Sequence, residues 1–279
     1  APPEQFEVEA EINPVLLTSD DQWILLRLDQ AIREVTDALA SYNFATAVQT
    51  LYRFFWSEYC DWYVEASKAA LAPRNSRGNE AQTPSEGSQR LLTSAATAKD
   101  EALRANKLAV IDFILGHTLR MFHPFLPFIT EELWHGMGFQ LDLPDDQGGR
   151  TIMTARWPKP LSDDEKAHYG LDAGAEQMAT AKYDLVGQGR NLRREFNLSP
   201  GKKVRFILKP ALPLPAQETE VIRLLLNAES LDLDPGYQPK KGTPTALSPL
   251  GELFLPLDGL LDIGAEQARE FDGIFDIIF

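Results

Sequence analysis

The sequence is poor in the residues that most catalytic and cofactor-binding motifs require. It contains one cysteine, Cys60, which excludes an intrachain disulfide and is compatible with the reducing cytoplasm, where we expect the protein to be located. Its four histidines lack the short paired spacings of a zinc site. Glycine-rich phosphate loops, dinucleotide-binding fingerprints and G-x-S-x-G nucleophile motifs do not occur. The sequence therefore predicts neither catalytic residues nor a metal site.

Long apolar runs and an excess of positive charge are also missing. No stretch approaches eighteen consecutive apolar residues, so no transmembrane helix is predicted. The acidic, proline-rich start, APPEQFEVEAE, is unlike a signal peptide. The formal net charge of −14 argues against indiscriminate binding to nucleic acid, and we expect neither a membrane nor DNA as a partner.

One segment runs against this acidic balance. Residues 190–209, RNLRREFNLSPGKKVRFILK, carry seven Lys or Arg residues and one acid, Glu195, which gives +6 in 20 residues. Such a concentration of cations suits contact with phosphate groups, and binding would then depend on salt. The alternative is that these cations pair with the surplus acids of the protein itself.

Helical periodicity dominates the first two thirds of the chain. Apolar residues recur three and four positions apart after a candidate capping box at Ser19, and again after Asn43, a candidate N-cap. Helices are predicted at about 20–41, 43–70, 99–122, 124–137 and 174–196. The buried stripe of the second helix is predicted at Phe44, Val48, Leu51, Phe55, Tyr59, Trp62 and Ala66.

The segment MFHPFLPFITEELW, residues 121–134, combines two prolines with many apolar side chains. The residue before a proline is disfavoured in helical geometry, whereas proline is tolerated in the first turn of a helix. This predicts a sharp corner at His123-Pro124 between two helices of a bundle. Side chains predicted to pack inward after the corner are Phe125, Phe128, Ile129 and Leu133.

The remaining segments complete a mainly α fold, a helical bundle followed by a small α+β module. Residues 72–98 and 138–172 are rich in loop-forming residues. Strands are predicted at 203–208, 230–233, 245–247 and 252–257, with helices at 215–229 and from about 262. The predicted organisation is a linker at 1–19, a bundle at 20–172 with a flexible loop at 72–98, and the last bundle helix with the α+β module at 173–279.

Several of these stretches together resemble valyl-tRNA synthetase, a class I synthetase, in its C-terminal anticodon-binding region. The matches are collinear and extend over roughly residues 20–270. They comprise DQWILLRLDQAIREVTDALASYNFATAVQTLYRFFWSEYCDWYVEASK at 21–68, HPFLPFITEELW at 123–134, TIMTARWP at 151–158, RNLRREFNLSPGKKV at 190–204 and LFLPLDGLLDIGAE at 253–266.

The resemblance does not extend to the catalytic signatures of that family. There is no HIGH-type motif, since residues 116–118 are Gly-His-Thr, and no KMSKS motif. The family's C-terminal coiled coil is also not evident in the closing FDGIFDIIF. The resemblance therefore implies a fragment that recognises tRNA and lacks the catalytic and editing domains.

The implied function is binding of the anticodon stem-loop of valine tRNA. The parent enzyme would ligate valine to its tRNA with ATP and magnesium, and this fragment would need no cofactor of its own. Its implied partners are the tRNA and the catalytic and editing domains of the same parent chain.

Site residues follow from this implied function. Phosphate contacts are predicted for Arg190, Arg193, Arg194, Lys202 and Lys203. Base-edge contacts are predicted for Glu65, Lys68 and, more weakly, Arg53, because carboxylates accept from exocyclic amines and cations donate to base acceptors. The aromatic residues of 52–63 are interpreted as core, because they cover most of the helix circumference.

Three alternatives remain at this stage. The first is the same domain of an isoleucyl-tRNA synthetase, and the second is a helical protein-interaction scaffold whose Arg and Lys residues are held in salt bridges. The third is an independent enzyme that uses the acidic face of Glu58, Asp61 and Glu65 for acid–base chemistry. It would require a cleft with perturbed carboxylates there.

Overall fold

The computed structural model describes residues 12–71, 86–199 and 201–257. Contacts between Cα atoms divide the chain into two compact units, Ala1–Thr180 and Ala181–Phe279, so the boundary falls within one long helix. The first unit is a helical bundle and the second combines helices with a four-stranded sheet, which confirms the predicted fold class. None of the described helices is long and apolar enough to cross a membrane.

The first unit is built mainly from helices. They are α1 (Ser19–Ala40), α2 (Phe44–Tyr52), a π-helical segment (Arg53–Val64), α3 (Glu65–Leu71), α4 (Glu86–Phe122), α5 (Pro127–Gly136), α6 (Asp163–His168) and the start of α7 (Ala173–Glu195). Short 3-10 turns lie at Pro14–Leu16, Phe139–Asp142, Asp145–Gln147 and Ile152–Thr154.

Two boundaries differ from the sequence prediction. Helix α4 begins at Glu86, so the predicted flexible loop at 72–98 is wrong for its last thirteen residues, while residues 72–85 lie outside the described part. The predicted linker is also ordered from residue 12 onward: the Asn13 amide donates to Asn106 Oδ1 at 2.7 Å, and Ile12 is buried. The hydrogen bond to Asn106 holds Asn13 against α4.

The start of α1 is joined to the bundle core by a buried ion pair. Thr18 is the N-cap, one residue before the predicted Ser19, and it forms a capping box with Asp21. Asp21 Oδ1 also accepts from Tyr63 Oη at 2.8 Å and from Lys107 Nζ at 2.5 Å. All three side chains are buried, so one carboxylate connects α1, the π-helical segment and α4.

The π-helical segment shifts the buried stripe that the sequence predicts for residues 43–70. A π-helix closes its hydrogen bonds five residues apart, so successive buried positions are spaced more widely than in an α-helix. The buried side chains include Ala47, Leu51, Phe54, Tyr59 and Tyr63. The prediction was wrong for Phe44 and Val48, which lie in α2 before the π-helical segment and are exposed, and Phe55 and Trp62 are only partly buried.

The predicted corner between α4 and α5 is confirmed, but the orientation of α5 is not. His123 Nδ1 lies 2.7 Å from Thr130 Oγ1, and that hydroxyl donates to Leu126 O at 2.8 Å, so the imidazole donates across the corner. The buried side chains of α5 are Thr130 and Trp134. The predicted inward packing of Phe128, Ile129 and Leu133 is wrong, because all three are exposed; Phe125 is half-buried.

The second unit contains the end of α7 and a mixed sheet of strand order β2-β1-β4-β3. Its elements are β1 (Val204–Pro210), α8 (Ala216–Leu225), β2 (Ala228–Leu233), β3 (Thr245–Ser248) and β4 (Gly251–Phe254). Strands β1 and β2 are parallel and joined through α8, whereas β3 and β4 form a hairpin. The predicted strands are confirmed, and the helix expected from about 262 lies outside the described residues.

Two glycines in this unit lie where elements approach closely. Gly251 starts β4 with φ of +136°, and a Cβ there would lie 2.2 Å from Lys209 O. Gly189 lets α7 approach the end of α8 and β4, because a Cβ at that position would lie 2.4 Å from a Leu226 methyl group and 3.0 Å from a Leu253 methyl group. Gly251 therefore fixes the packing of β4 beside β1, the strand in which the basic segment ends.

Candidate nucleic-acid interface

The predicted site residues fall into two groups, one in each unit. Arg190, Arg193, Arg194, Lys202 and Lys203 belong to the second unit, at the end of α7 and the turn before β1. Arg53, Glu65 and Lys68 belong to the first unit, on the π-helical segment and α3. The two groups are described separately.

Arg193 is buried and faces the protein's own backbone. Its guanidinium donates to the carbonyl oxygens of Leu226 (3.2 Å), Asn227 (3.3 Å), Ser199 (3.1 Å) and Lys202 (2.6 Å). Burial lowers the pKa of this guanidinium from its ordinary value. The side chain thus holds the turn at 199–202 against the end of α8, and it does not present its charge to solvent.

Arg190 shares part of this structural role. Its Nε and terminal amine donate to Leu225 O at 3.3 and 3.1 Å, although the residue remains exposed. The last carbonyl groups of a helix lack partners within the helix and carry its partial negative charge. Arg190, one turn before Arg193 on α7, therefore caps the C-terminus of α8.

The other cations of the segment are exposed. Arg194 lies beside Asn191, to whose Oδ1 it donates, and the two residues line a shallow surface depression with Glu195. Lys202 and Lys203 are exposed on the turn that Arg193 holds. Arg205, in contrast, is paired with Asp232 at 2.6 Å across β1 and β2.

In the first unit, Glu65 and Lys68 form an exposed pair, with Lys68 Nζ 2.5 Å from Glu65 Oε1. Arg53 lies 2.6 Å from Glu34 and 3.7 Å from Glu58. Burial would raise the pKa of Glu34, but hydrogen bonds from Arg53 and its neighbours lower it overall. These three predicted base readers therefore carry their own counter-charges.

Two of the three carboxylates proposed for an independent enzyme, Glu58 and Glu65, are held in ion pairs. Glu58 Oε1 accepts from Arg27 at 2.6 Å, and the side chain is only 13% exposed. This ion pair raises the pKa of Arg27, chiefly through its hydrogen bond to Glu58. Among the described residues, no group of three or more His, Cys, Asp or Glu side chains could hold a metal ion.

The structure adds an exposed feature that the sequence prediction missed. Phe44, Val48, Tyr52 and Trp56, spaced four residues apart, are 55, 46, 61 and 52% exposed, and we call them the aromatic ridge. The Tyr52 and Trp56 rings are stacked, with centroids 6.1 Å apart and an interplanar angle of 20°. The aromatic residues of 52–63 were predicted to be core because they cover most of the helix circumference, and this prediction is wrong for Tyr52 and Trp56.

Comparison with known proteins places this architecture in a family. The family model described as the anticodon-binding domain of tRNA ligase matches residues 21–93 and 88–208. The matched ranges include the aromatic ridge, the α4–α5 corner and the basic segment. The chain belongs to the anticodon-binding domain family of tRNA ligases.

Its curated relatives are more specific in name. A valine–tRNA ligase of Thermotoga maritima is 31% identical over 253 residues, which cover 91% of this chain. Valine–tRNA ligases of Bacillus cereus and Listeria innocua are 30% and 28% identical, each over 89% of this chain. In each case the match covers 24% of the relative, so the chain spans about a quarter of the length of these ligases.

Proposed function

We propose that this chain is the tRNA-binding region of a valine–tRNA ligase and that it binds the anticodon stem-loop of valine tRNA. The observation that carries the proposal is the family match, which extends over both the helical bundle and the basic end of α7. The valine–tRNA ligases among its relatives support valine over isoleucine as the amino acid.

The backbone contacts in this proposal come from the second unit. Arg194, Lys202 and Lys203 are exposed and bind phosphate groups, and Arg190 adds a partly engaged guanidinium. Arg193 acts as a positioning residue, because it fixes the turn that carries the two lysines. The proposed phosphate contacts are therefore fewer than the sequence predicts, because Arg193 is no longer among them.

The base contacts come from the first unit. Unpaired bases of an RNA loop stack on aromatic side chains, and such stacking contributes about 1–3 kcal/mol per base. The stacked pair of Tyr52 and Trp56 offers such a surface on the aromatic ridge. Hydrogen bonds to base edges are proposed to replace the ion pairs of Glu65, Lys68 and Arg53. The bond from Arg53 is expected to contribute least to the affinity.

The rest of the ligase supplies the chemistry in this proposal. The catalytic domain of the parent ligase would join valine to the tRNA in the cytoplasm, with ATP and magnesium, and its editing domain would hydrolyse wrongly charged tRNA. The described residues of this chain would contribute binding and orientation of the tRNA, without a cofactor of their own.

Fluorescence anisotropy of a labelled valine tRNA tests the proposal directly. The chain is titrated at 50 and 200 mM salt, and a valine tRNA with a replaced anticodon serves as the control. We expect binding that weakens with salt, because released counterions drive phosphate contact, and that prefers the native anticodon. Equal binding of both tRNAs would reduce the role of the chain to a backbone contact.

Substitution of the ridge separates base contacts from phosphate contacts. Trp56→Ala removes an exposed ring and is expected to weaken binding of the native tRNA about tenfold without changing the salt dependence. Leu247→Ala is the matched control, because Leu247 is 72% exposed on β3 and lies outside the proposed contacts. Unchanged affinity of the Trp56→Ala variant would contradict the stacking role of the ridge.

A further inference from the structure

The corner between α4 and α5 leads into a second exposed apolar surface. Its members are large, lie within twelve residues of sequence and belong to α5 or its immediate flanks. They are Leu126 (49% exposed), Phe128 (91%), Ile129 (52%), Leu133 (42%) and Met137 (42%), which we call the α5 apolar face. Ile129, Leu133 and Met137 follow one another at intervals of four residues along α5 and its C-cap, and clustered exposed apolar side chains mark interaction surfaces more often than single ones do.

The α5 apolar face is preformed by contacts on the other side of the helix. Thr130 is buried and bonded to His123, and buried Trp134 donates from Nε1 to Gly148 O at 3.0 Å. Trp134 also packs with Leu119 and Ile152 in a small core cluster. These contacts fix the rotation of α5, so Phe128 cannot turn inward without breaking them.

The segment that carries this face is acidic, which disfavours RNA as its partner. Residues 123–149 contain no Lys or Arg and five carboxylate residues, of which Asp145 is paired with Arg150. Burial would raise the pKa of Glu131, but hydrogen bonds from Thr151 and His135 lower it overall, which keeps this carboxylate ionised on α5. An excess of carboxylates repels phosphate, so the fitting partner is a protein surface with apolar and basic side chains.

We propose that the α5 apolar face docks against the part of the valine–tRNA ligase polypeptide that lies outside the region matched by this chain. This inference rests on the proposed function. The matched region is 24% of each relative's length, so about three quarters of such a ligase is available as a partner within the same polypeptide. Phe128 would contribute the largest contact, because it is the most exposed member of the face and aromatic side chains are enriched at protein interfaces.

A site-resolved labelling experiment tests the docking. Ile129→Cys is introduced together with Cys60→Ser, and maleimide labelling of position 129 is followed by peptide mass spectrometry. The rate is compared between this chain alone and a Thermotoga maritima valine–tRNA ligase in which this chain replaces the matched region. Leu247→Cys, also made with Cys60→Ser, is the control position for accessibility and folding.

We expect labelling at position 129 to be at least tenfold slower in the chimeric ligase than in the isolated chain, with equal rates at position 247. Fast labelling at 129 in both proteins would overturn the docking proposal. If labelling in the isolated chain is slow and becomes slower as the protein concentration rises, a second copy of the chain covers the face, and the docking proposal would be overturned.

A third arm adds valine tRNA to the isolated chain. We expect labelling at position 129 to stay fast at a tRNA concentration that saturates the anisotropy signal. Protection by tRNA would overturn the docking proposal and assign the face to RNA. If the unlabelled chain without substitutions fails to bind tRNA, that result would contradict the proposed function but not the docking proposal.

Discussion

One buried cation in each unit shows a different way of holding a charge. In the helical unit, Lys107 is paired with the carboxylate of Asp21. In the α+β unit, Arg193 donates to backbone carbonyl groups, which carry only partial charge, whereas Lys182, Arg205 and Arg223 of the same unit are paired with carboxylates. Carbonyl groups satisfy the hydrogen bonds of a guanidinium without cancelling its charge.

This contrast bears on how an acidic protein keeps a local basic surface. Arg193 donates to carbonyl groups beneath the turn that carries the exposed Lys202 and Lys203, whereas Arg53 and Lys107 in the helical unit lie against carboxylates. Under the proposed function, an anionic RNA backbone would approach the α+β unit at this turn, and the helical unit would offer aromatic and hydrogen-bonding contacts.

The largest effect is expected when a paired cation is removed from the interior of the helical unit. Lys107→Met leaves the Asp21 carboxylate buried with only Tyr63 and Thr18 as partners, and we expect the free energy of unfolding to fall by about 3–5 kcal/mol. Urea unfolding followed by tryptophan fluorescence measures it, since all five tryptophans lie in residues 1–180.

The matched control for that variant is a cation in an exposed pair of the same unit. Lys68→Met removes the partner of Glu65, where both side chains are roughly half exposed, and it should cost less than about 0.5 kcal/mol. Similar losses for Lys107→Met and Lys68→Met would show that burial does not strengthen ion pairs in this unit.

Adjacent arginines of α7 should give opposite results in stability and in RNA binding. Arg193→Met removes hydrogen bonds to four carbonyl groups, and we expect a loss of about 2–3 kcal/mol in the α+β unit. Hydrogen exchange of the β1 amides should then accelerate about 50-fold.

Arg194→Met should leave that exchange unchanged and weaken tRNA binding, because Arg194 is exposed. A variant pair with the reverse outcome would contradict the assignment of Arg193 to positioning and Arg194 to phosphate contact.

Protonation of the buried His117 should lower the stability of the helical unit at acidic pH. Burial, together with the nearby Arg120, lowers the pKa of this imidazole from 6.5 to about 4. The unfolded chain therefore binds a proton between about pH 6.5 and 4 that the folded chain does not, so stability is fully present above pH 6.5 and falls on acidification. We expect His117→Gln to remove on the order of 2 kcal/mol of this loss by pH 4.5.

Urea unfolding at pH 7 and pH 4.5 measures this difference. His168→Gln is the control, because His168 is exposed on α6, and it should retain the acid-dependent loss of the parent chain. If His117→Gln also retains the full loss, the acid sensitivity of the unit arises from its carboxylates.

Local patterns predict much of this fold. The Asn43 cap, the His123-Pro124 corner and the strand before Leu208 were all evident, because capping, proline geometry and alternation act over a few residues. The π-helical segment was not evident, since nothing in residues 53–64 distinguishes five-residue from four-residue hydrogen bonding. The exposure of Tyr52 and Trp56 was not evident either, because aromatic residues distributed around a helix do not show which of them face solvent.

The basic segment shows a second limit of sequence analysis. Arg193 and Arg194 are adjacent and chemically identical, and only the position of α8, brought back by the β1–α8–β2 connection, separates their roles. Charge density therefore located the candidate interface, but the choice of contacting side chains depended on tertiary packing.

The smallest effect is expected for single exposed cations in the salt dependence of tRNA binding. Lys203→Met removes one proposed phosphate contact, so the slope of log affinity against log salt should decrease by about 0.7–0.9, with a modest loss of affinity at 100 mM salt. Arg33→Met is the matched control from the helical unit, since Arg33 is half exposed but paired with Asp29 at 3.2 Å. We expect its slope to equal that of the parent chain, because an ion pair within the protein releases no counterions from RNA. Equal decreases for both variants would mean that the helical unit contacts phosphate as well, and the division between the two units would no longer hold.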